Sequence, residues 1–247
     1  MKRFMKSREM ALIVLALALA LIVSLNNGKF LGASNLMNVL KNNIILTMVS
    51  AGMLLVMITG GIDASVGAII TATTLVVGNF LVHVTANPLL AYLLGMCVGT
   101  FFGLLNGVLI AFLQLPPLVA TLGMYSVASG LMIFLTKGAY INNIPQSFID
   151  FGLKTFLNIF PKGDGSYLGL PIQLIPLLLV LALTYVILRH TKVGRGVFAI
   201  GGNMLSAERV GFNVKAVQMF SYAYMGFICG VAGVTHISIM RRVDPNA

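Results

Sequence analysis

Charge is what this chain lacks most. It has 6 acidic residues in 247, charged side chains make up 9% of it, and there is no tryptophan. An ordinary soluble domain is about one quarter charged, so this composition cannot cover a water-facing surface and a soluble enzyme is excluded. Disorder is excluded by the opposite excess, because 58% of the residues are hydrophobic and disordered chains lack the apolar content to collapse. The shortage of acids also removes the acid-dependent intramembrane catalysts. A paired-aspartate protease needs a second buried acid and a metal-dependent lipid transferase needs several. His83, His236 and the hydroxyls show no recognisable nucleophile setting, so no catalytic residue and no metal site is assigned. The only cysteines, Cys97 and Cys229, fall inside apolar stretches without CxxC or Cys/His spacing. They read as buried small hydrophobes.

What is present is apolar sequence in long blocks. Seven runs carry no Lys, Arg, Asp or Glu: Met10 to Leu25, Ile44 to Ile58, Val66 to Val84, Leu89 to Leu113, Leu118 to Leu135, Ile172 to Leu188 and Val217 to Met240. In hydrocarbon every backbone group must be bonded within its own segment, so such runs are helices. The expected fold is an all-α, polytopic transmembrane bundle of about seven spans, forming a single domain over residues 1–247. The formal charge of +10 sits in short flanks between these runs, where it marks membrane topology. It does not gather on one polar face as nucleic-acid binding would require. Lys2, Arg3, Lys6 and Arg8 keep the N-terminus in the cytoplasm, and no small-residue cleavage site follows the first run. After six crossings the chain must be cytoplasmic again, and residues 189–216 are indeed basic, with Arg189, Lys192, Arg195, Arg209 and Lys215 against Glu208. The same parity puts residues 137–170 outside. It also puts Arg241 and Arg242 there, against the rule.

Within the fourth run Ala91, Gly95, Gly99, Gly103, Gly107 and Ala111 recur every four positions. They form one face of small residues against which another helix packs closely. Gly226 and Gly230 make a shorter version in the seventh run, where His236 reads as a hydrogen-bonded packing residue. Asn106, beside the first groove, either bonds a neighbouring helix or lines a polar path.

Between the second and third runs lies Thr59-Gly60-Gly61-Ile62-Asp63-Ala64-Ser65-Val66-Gly67. The preceding 15 residues cover only about 22 Å at 1.5 Å per residue, which places the break partly inside the membrane. It is either a tight turn in which Asp63 or Ser65 caps the next helix, or a broken helix whose carboxylate faces a water-filled path. Gln114-Leu115-Pro116-Pro117 joins the fourth and fifth runs, with Thr121 just inside the next helix. Outside, Phe148, Gly152, Phe156 and Phe160 recur every four residues, and the spacing predicts an amphipathic helix over Ser147 to Phe160 lying in the interface. On the cytoplasmic side, Asn203 is suited to cap a short helix through Met204 to Val210 that Gly211 terminates. Met204, Leu205 and Val210, with Glu208 and Arg209, suit a cleft in a cytoplasmic partner.

In order, Gly60-Gly61-Ile62-Asp63-Ala64-Ser65-Val66-Gly67, Asn106-Gly107, Pro116 to Gly123, and Gly194-Arg195 through Gly201-Gly202-Asn203 to Ala207 and Gly211 resemble the permease subunits of bacterial ATP-binding-cassette importers for ribose, galactose and similar monosaccharides. The resemblance runs from about Leu46 to Gly233. It implies a multi-pass subunit of the cytoplasmic (inner) membrane, paired with a second copy and surrounded by lipid. A sugar-binding protein would feed it from outside. A separate ABC ATPase would drive it by docking on the segment around Gly194, Arg195, Gly201, Gly202, Asn203, Ala207, Glu208 and Gly211. Asp63, Ser65, Asn106, Pro116, Pro117 and Thr121 are the candidates for path or gate. Such permeases usually continue past Ala247, so the chain is expected to be truncated at its C-terminus.

The sequence has no GxxxxGK[ST] phosphate loop, so ATP and Mg belong on the partner ATPase and this chain is expected to hold no cofactor. The rival reading is a secondary transporter using Asp63 as a proton or cation site, which leaves the capped cytoplasmic helix unexplained.

Overall fold

The computed structural model describes residues 8–161 and 167–244. Its elements are α1 (Arg8–Asn26), α2 (Ala33–Ile58), α3 (Val66–His83), α4 (Pro88–Ala111), α5 (Pro117–Thr136), α6 (Gln146–Leu153), β1 (Thr155–Pro161), β2 (Tyr167–Pro171), α7 (Leu174–His190), α8 (Lys192–Gly202), α9 (Met204–Arg209) and α10 (Val214–Met240). Each apolar run is a helix. Five of these (α2, α3, α4, α5 and α10) are long and apolar enough to cross a membrane, and α7 with α8, bent by 72°, makes a sixth if the pair is one span. The helix α1 is apolar over Leu12–Asn26 and shorter. Lys2, Arg3 and Lys6, on which the orientation of the N-terminus was argued, lie outside the described residues.

The chain divides into two units. The first holds α1, α2 as far as Asn42 and the β1–β2 hairpin to Leu170; the second holds the remainder. In the first, α1 leaves Leu12, Leu15, Leu19 and Ile22 exposed.

The second unit is built around α10. Its Gly226 and Gly230 face Gly95, Gly99 and Gly103 of α4 so closely that a Cβ on Gly99 would strike the Gly226 carbonyl and one on Gly230 the Gly95 carbonyl. The two small-residue stripes therefore meet each other, and backbone packs on backbone with no side chain between. In lipid, where apolar surface gains nothing by being buried, such contact is what holds helices together. From the third side α3 closes on α10, with Thr73 against Gly233. Along α2, Ile44, Met48, Ala51 and Leu55 are buried at helical spacing, and Gly52 leaves room for Met225.

Val119, Leu122, Val127 and Phe134 of α5 and Leu178, Leu179 and Tyr185 of α7 are exposed, whereas Thr71, Thr74, Ser221, Thr235 and Ser238 are buried. These hydroxyls donate to carbonyls of their own helices, for example Ser221 to Val217 at 2.9 Å and Thr235 to Val231 at 2.9 Å. Apolar outside with self-satisfied hydroxyls inside is the pattern lipid demands.

Four local expectations change. The helix expected over Ser147 to Phe160 stops at Leu153, because Lys154 is extended (φ −59, ψ 141). The β-prone Thr155-Phe156 stretch then pairs as β1 with β2. Phe148 of α6 is fully buried with Val234 and Ile237 of α10, so this residue packs α6 against the bundle. Helix α2 runs for 26 residues, upstream through Lys41, about 39 Å, so the short apolar run does not force the break into the membrane. Of the cysteines, Cys229 is buried and Cys97 exposed on α4. His236 is half-buried, and its Nδ1 has no hydrogen-bond partner among the described residues.

Candidate functional site

The α2–α3 break is built by its glycines. Gly60 takes φ +83, which ends α2 in a left-handed turn that glycine adopts at no steric cost, and the Gly61 N–H bonds back to the Val56 carbonyl at 3.0 Å. The chain then crosses from Ile62 to Ala64 without helical bonds. Asp63, 3% exposed, holds the turn into α3: its Oδ1 accepts from the Ser65 N–H at 2.9 Å and from the Ser65 hydroxyl at 2.5 Å. Ser65 stands at the N-cap position but makes no side-chain cap bond. The capping role expected of Asp63 or Ser65 thus becomes a local Asp63–Ser65 turn.

Two helices clamp this break. From α4, the Asn106 Nδ2 donates to the Ser65 Oγ at 2.8 Å. From α5, the Thr121 Oγ1 accepts from the Ala64 N–H at 3.1 Å and donates to the Pro117 carbonyl at 2.9 Å. Helix α5 can begin this close because Pro117 occupies its first turn, where a missing N–H costs nothing. The link before it bends at Gln114, which holds φ +55. Asn106 thus bonds a neighbouring segment, one of its two expected roles. Its Oδ1 and the Asp63 Oδ2 are nevertheless buried without partners among the described residues. Asp63 lies between α2 and α3. Burial pushes its carboxyl above the usual value, and the bonds from Ser65 and Asn106 act against that shift.

Beside the break, at the end of the bundle where α4 stops and α5 and α10 start, lies a cleft of about 500 Å³ lined by Gly60, Gly61, Pro116, Leu205, Glu208 and Tyr222 among others. It brings Gly60–Gly61, Pro116–Pro117 and α9 together, although they are far apart in sequence. Tyr222 was not anticipated. It is buried, its hydroxyl has no partner among the described residues, and a Cβ on Gly61 would collide with that hydroxyl. The four-residue spacing of Tyr222, Gly226 and Gly230 was the available signal. Gln173 was also missed; its Nε2 donates to the Gly152 carbonyl at 2.7 Å and reaches the Ser238 Oγ at 3.2 Å, tying α6 to the start of α7 and to α10.

The segment after α7 divides its residues between packing and exposure. Gly194 lies so close to the Ile187 and Leu188 carbonyls that any Cβ would clash, which permits the bend into α8. Gly201 stands in the same way against the Ile58 carbonyl at the end of α2, whereas Gly202 has open space. Asn203 caps α9, its Oδ1 accepting from the Ser206 N–H at 2.9 Å. Gly211 follows with φ +92. Ala207 is buried with Val197, Ile200 and Val217, so it anchors α9 to its own subunit. Met204, Leu205 and Val210 are exposed at 43%, 67% and 73%, and Arg195, Glu208 and Arg209 are exposed beside them.

A bundle of lipid-length helices with a polar break locked from two sides, and a capped short helix presenting exposed apolar side chains, is a multi-pass membrane protein of the permease class. The chain belongs to the family described as branched-chain amino acid transport system / permease component, whose match covers residues 35–247. It is 34% identical over 229 residues to the ribose import permease protein RbsC of Bacillus subtilis (strain 168), covering 93% of this chain and 68% of that protein. With the fructose import permease protein FrcC of Rhizobium meliloti it shares 31% identity over 236 residues, 96% of this chain and 65% of the relative. With the autoinducer 2 import system permease protein LsrC of Photorhabdus laumondii it shares 30% over 241 residues, 96% and 68%. The chain thus spans about two thirds of these relatives' length. No solved structure matches it.

Proposed function

We propose that this chain is the membrane-spanning subunit of an ATP-binding-cassette importer and carries a simple sugar across the bacterial inner membrane. The observation that carries the reading is the placement of α9. Its inner side is fixed to the bundle through Ala207, its outer side offers Met204, Leu205 and Val210, and it borders the same cleft as the Gly60–Gly61 break and Pro116. A partner that grips the outer side moves a rigid element next to a segment of the bundle that lacks helical bonds. In this reading a separate ATPase, which holds ATP and Mg, docks on α9, with Glu208 and Arg209 setting its orientation. A binding protein delivers the sugar at the opposite end, a second copy of the permease completes the path, and the N-terminus and α9 are cytoplasmic. Two of the three relatives are named for sugars, ribose and fructose. The family description names branched-chain amino acids, so membership fixes the architecture and the relatives supply the substrate class.

The test is co-purification of a co-expressed ATPase subunit of this importer class with Leu205→Glu/Val210→Glu, which places two charges on the exposed side and leaves Ala207 in position. The variant is expected to insert in the membrane and lose the ATPase. Retention at the wild-type level refutes the docking role. One observation favours a second reading, a proton- or cation-coupled carrier: the Asp63 Oδ2 is buried and unpartnered. Uptake that survives ATP depletion, collapses with a protonophore and is lost in Asp63→Asn decides for that reading.

A further inference from the structure

A second crevice, on the other side of α10 from the break, is not used by this mechanism. It has a volume of about 620 Å³ and is bounded by α4, α8 and the first turns of α10. Its chemistry is divided by depth. At the rim stand Lys192 and Arg195, three residues apart on α8 and therefore on one helical face, together with Gly211 and Asn213. Deeper, the walls are Leu104 of α4 and Val217, Phe220 and Ala223 of α10.

The rim is positive beyond its two side chains. Helix α8 begins at Lys192 and α10 at Val214, so both present the positive ends of their dipoles to the same opening. Among the described residues neither Lys192 nor Arg195 has an acidic partner within salt-bridge distance; Glu208 lines two adjoining clefts, one of which shares Gly211 and Asn213 with this rim, but not this crevice. Both basic side chains are exposed. The apolar walls follow the first ten residues of α10, Val214 to Ala223, a rise of about 13 Å, close to one leaflet of a hydrocarbon core roughly 30 Å thick. Leu104 is exposed, with Phe101, Leu105 and Val108 of the same helix exposed around it, so the crevice opens sideways on to lipid-facing surface.

We infer that this crevice binds an anionic phospholipid of the leaflet on the α8–α9 side. The phosphodiester lies between Lys192 and Arg195, and one acyl chain lies along Leu104, Phe220 and Ala223. A basic rim above an apolar slot between spans complements a lipid bearing both a charge and a tail. The inference is independent of which solute is carried. It gives α8, the element that joins α7 to the docking helix, a ligand that fixes its position against α10.

The experiment uses the full chain purified in detergent. Native mass spectrometry counts retained dioleoylphosphatidylglycerol against dioleoylphosphatidylcholine, and soluble glycerol 3-phosphate serves as a competitor without a tail. Each basic side chain near an anionic headgroup contributes about fivefold, so removing the pair predicts roughly thirtyfold weaker retention of phosphatidylglycerol. Lys192→Gln/Arg195→Gln is expected to show this loss. Arg189→Gln/Arg209→Gln, which removes the same charge outside the crevice, should stay within about twofold of wild type on the same per-residue scale. Glycerol 3-phosphate should fail to compete. Equal loss in both double variants, equal retention of the two lipids, competition by the tail-less phosphate, or a dimer whose contact covers this crevice and excludes lipid would each overturn the assignment.

Discussion

Gly99 and Gly123 both lie inside transmembrane helices, in α4 and α5, and the structure predicts opposite consequences for the same Gly→Ala change. At Gly123 an added methyl meets nothing within 4 Å. Only the conformational term remains, and Ala is favoured in a helix interior by about 0.5–1 kcal/mol. At Gly99 the methyl would stand 2.6 Å from the Gly230 nitrogen and 2.8 Å from its Cα, and would overlap the Gly226 carbonyl. All three atoms belong to the α10 backbone and none can swing away, so α4 and α10 must part by nearly an ångström to reach ordinary contact. A gap of about 0.5–1 Å forfeits a quarter to a half of each dispersion contact, and it would open along a seam shared by Gly95, Gly99 and Gly103 of α4 and Gly226 and Gly230 of α10. Overpacking of this kind costs typically about 1–3 kcal/mol, and the rigid partners place Gly99→Ala at the upper end. The conformational gain is common to both positions and cancels, so the two variants should differ by the overpacking cost alone, about 3 kcal/mol at its upper end. Thermal and denaturant unfolding in one detergent measures the difference, with Gly123→Ala at or above wild type. If the two variants unfold together, the α4–α10 seam is not packed backbone to backbone and the central helix is wrongly placed.

Asn106→Leu removes the bond to the Ser65 Oγ. A double-mutant cycle with Ser65→Ala should return a coupling near the ~0.6 kcal/mol average for interhelical bonds in membranes, with ~1.7 as the ceiling; zero coupling would mean that α4 does not clamp the break. Asn203→Ala deletes the cap on the Ser206 N–H and should destabilise α9 by about 1 kcal/mol, seen as faster amide exchange confined to residues 204–209. Gly201→Ala should impair folding through its collision with the Ile58 carbonyl, whereas Gly202→Ala, facing open space, should express and melt as wild type. Equal behaviour of that pair would remove α8 from the end of α2.

Much of this was legible because the relevant signals are local or periodic. The charge-free runs specified helices, since hydrocarbon leaves the backbone no other partner. Four-residue spacing identified the faces of α4 and α10 that pack closely, and Asn203 and Gly211 marked the ends of α9. The misreadings share a cause as well. The Phe148 to Phe160 periodicity fits a helix, but strand pairing with residues 167–171 claims its second half, and pairing partners are not written in local spacing. The apolar run before the break looked too short because polar residues from Ala33 onward continue the same helix.

What the chain determined alone is its solvent and its class: too little charge to face water, apolar blocks of spanning length, and glycines wherever backbone must approach backbone. What only the tertiary structure decided is which of these features meet. That the α4 stripe is matched by the α10 stripe, that Asn106 and Thr121 grip the Asp63 break from two helices, that Tyr222 reaches Gly61, and that Ala207 turns inward while Leu205 turns outward all depend on contacts between residues tens to more than a hundred positions apart. The reason is physical: hydrocarbon rewards each helix separately for forming, but it is indifferent to which apolar faces touch. Partners are chosen by shape and by the few polar groups that must find one another.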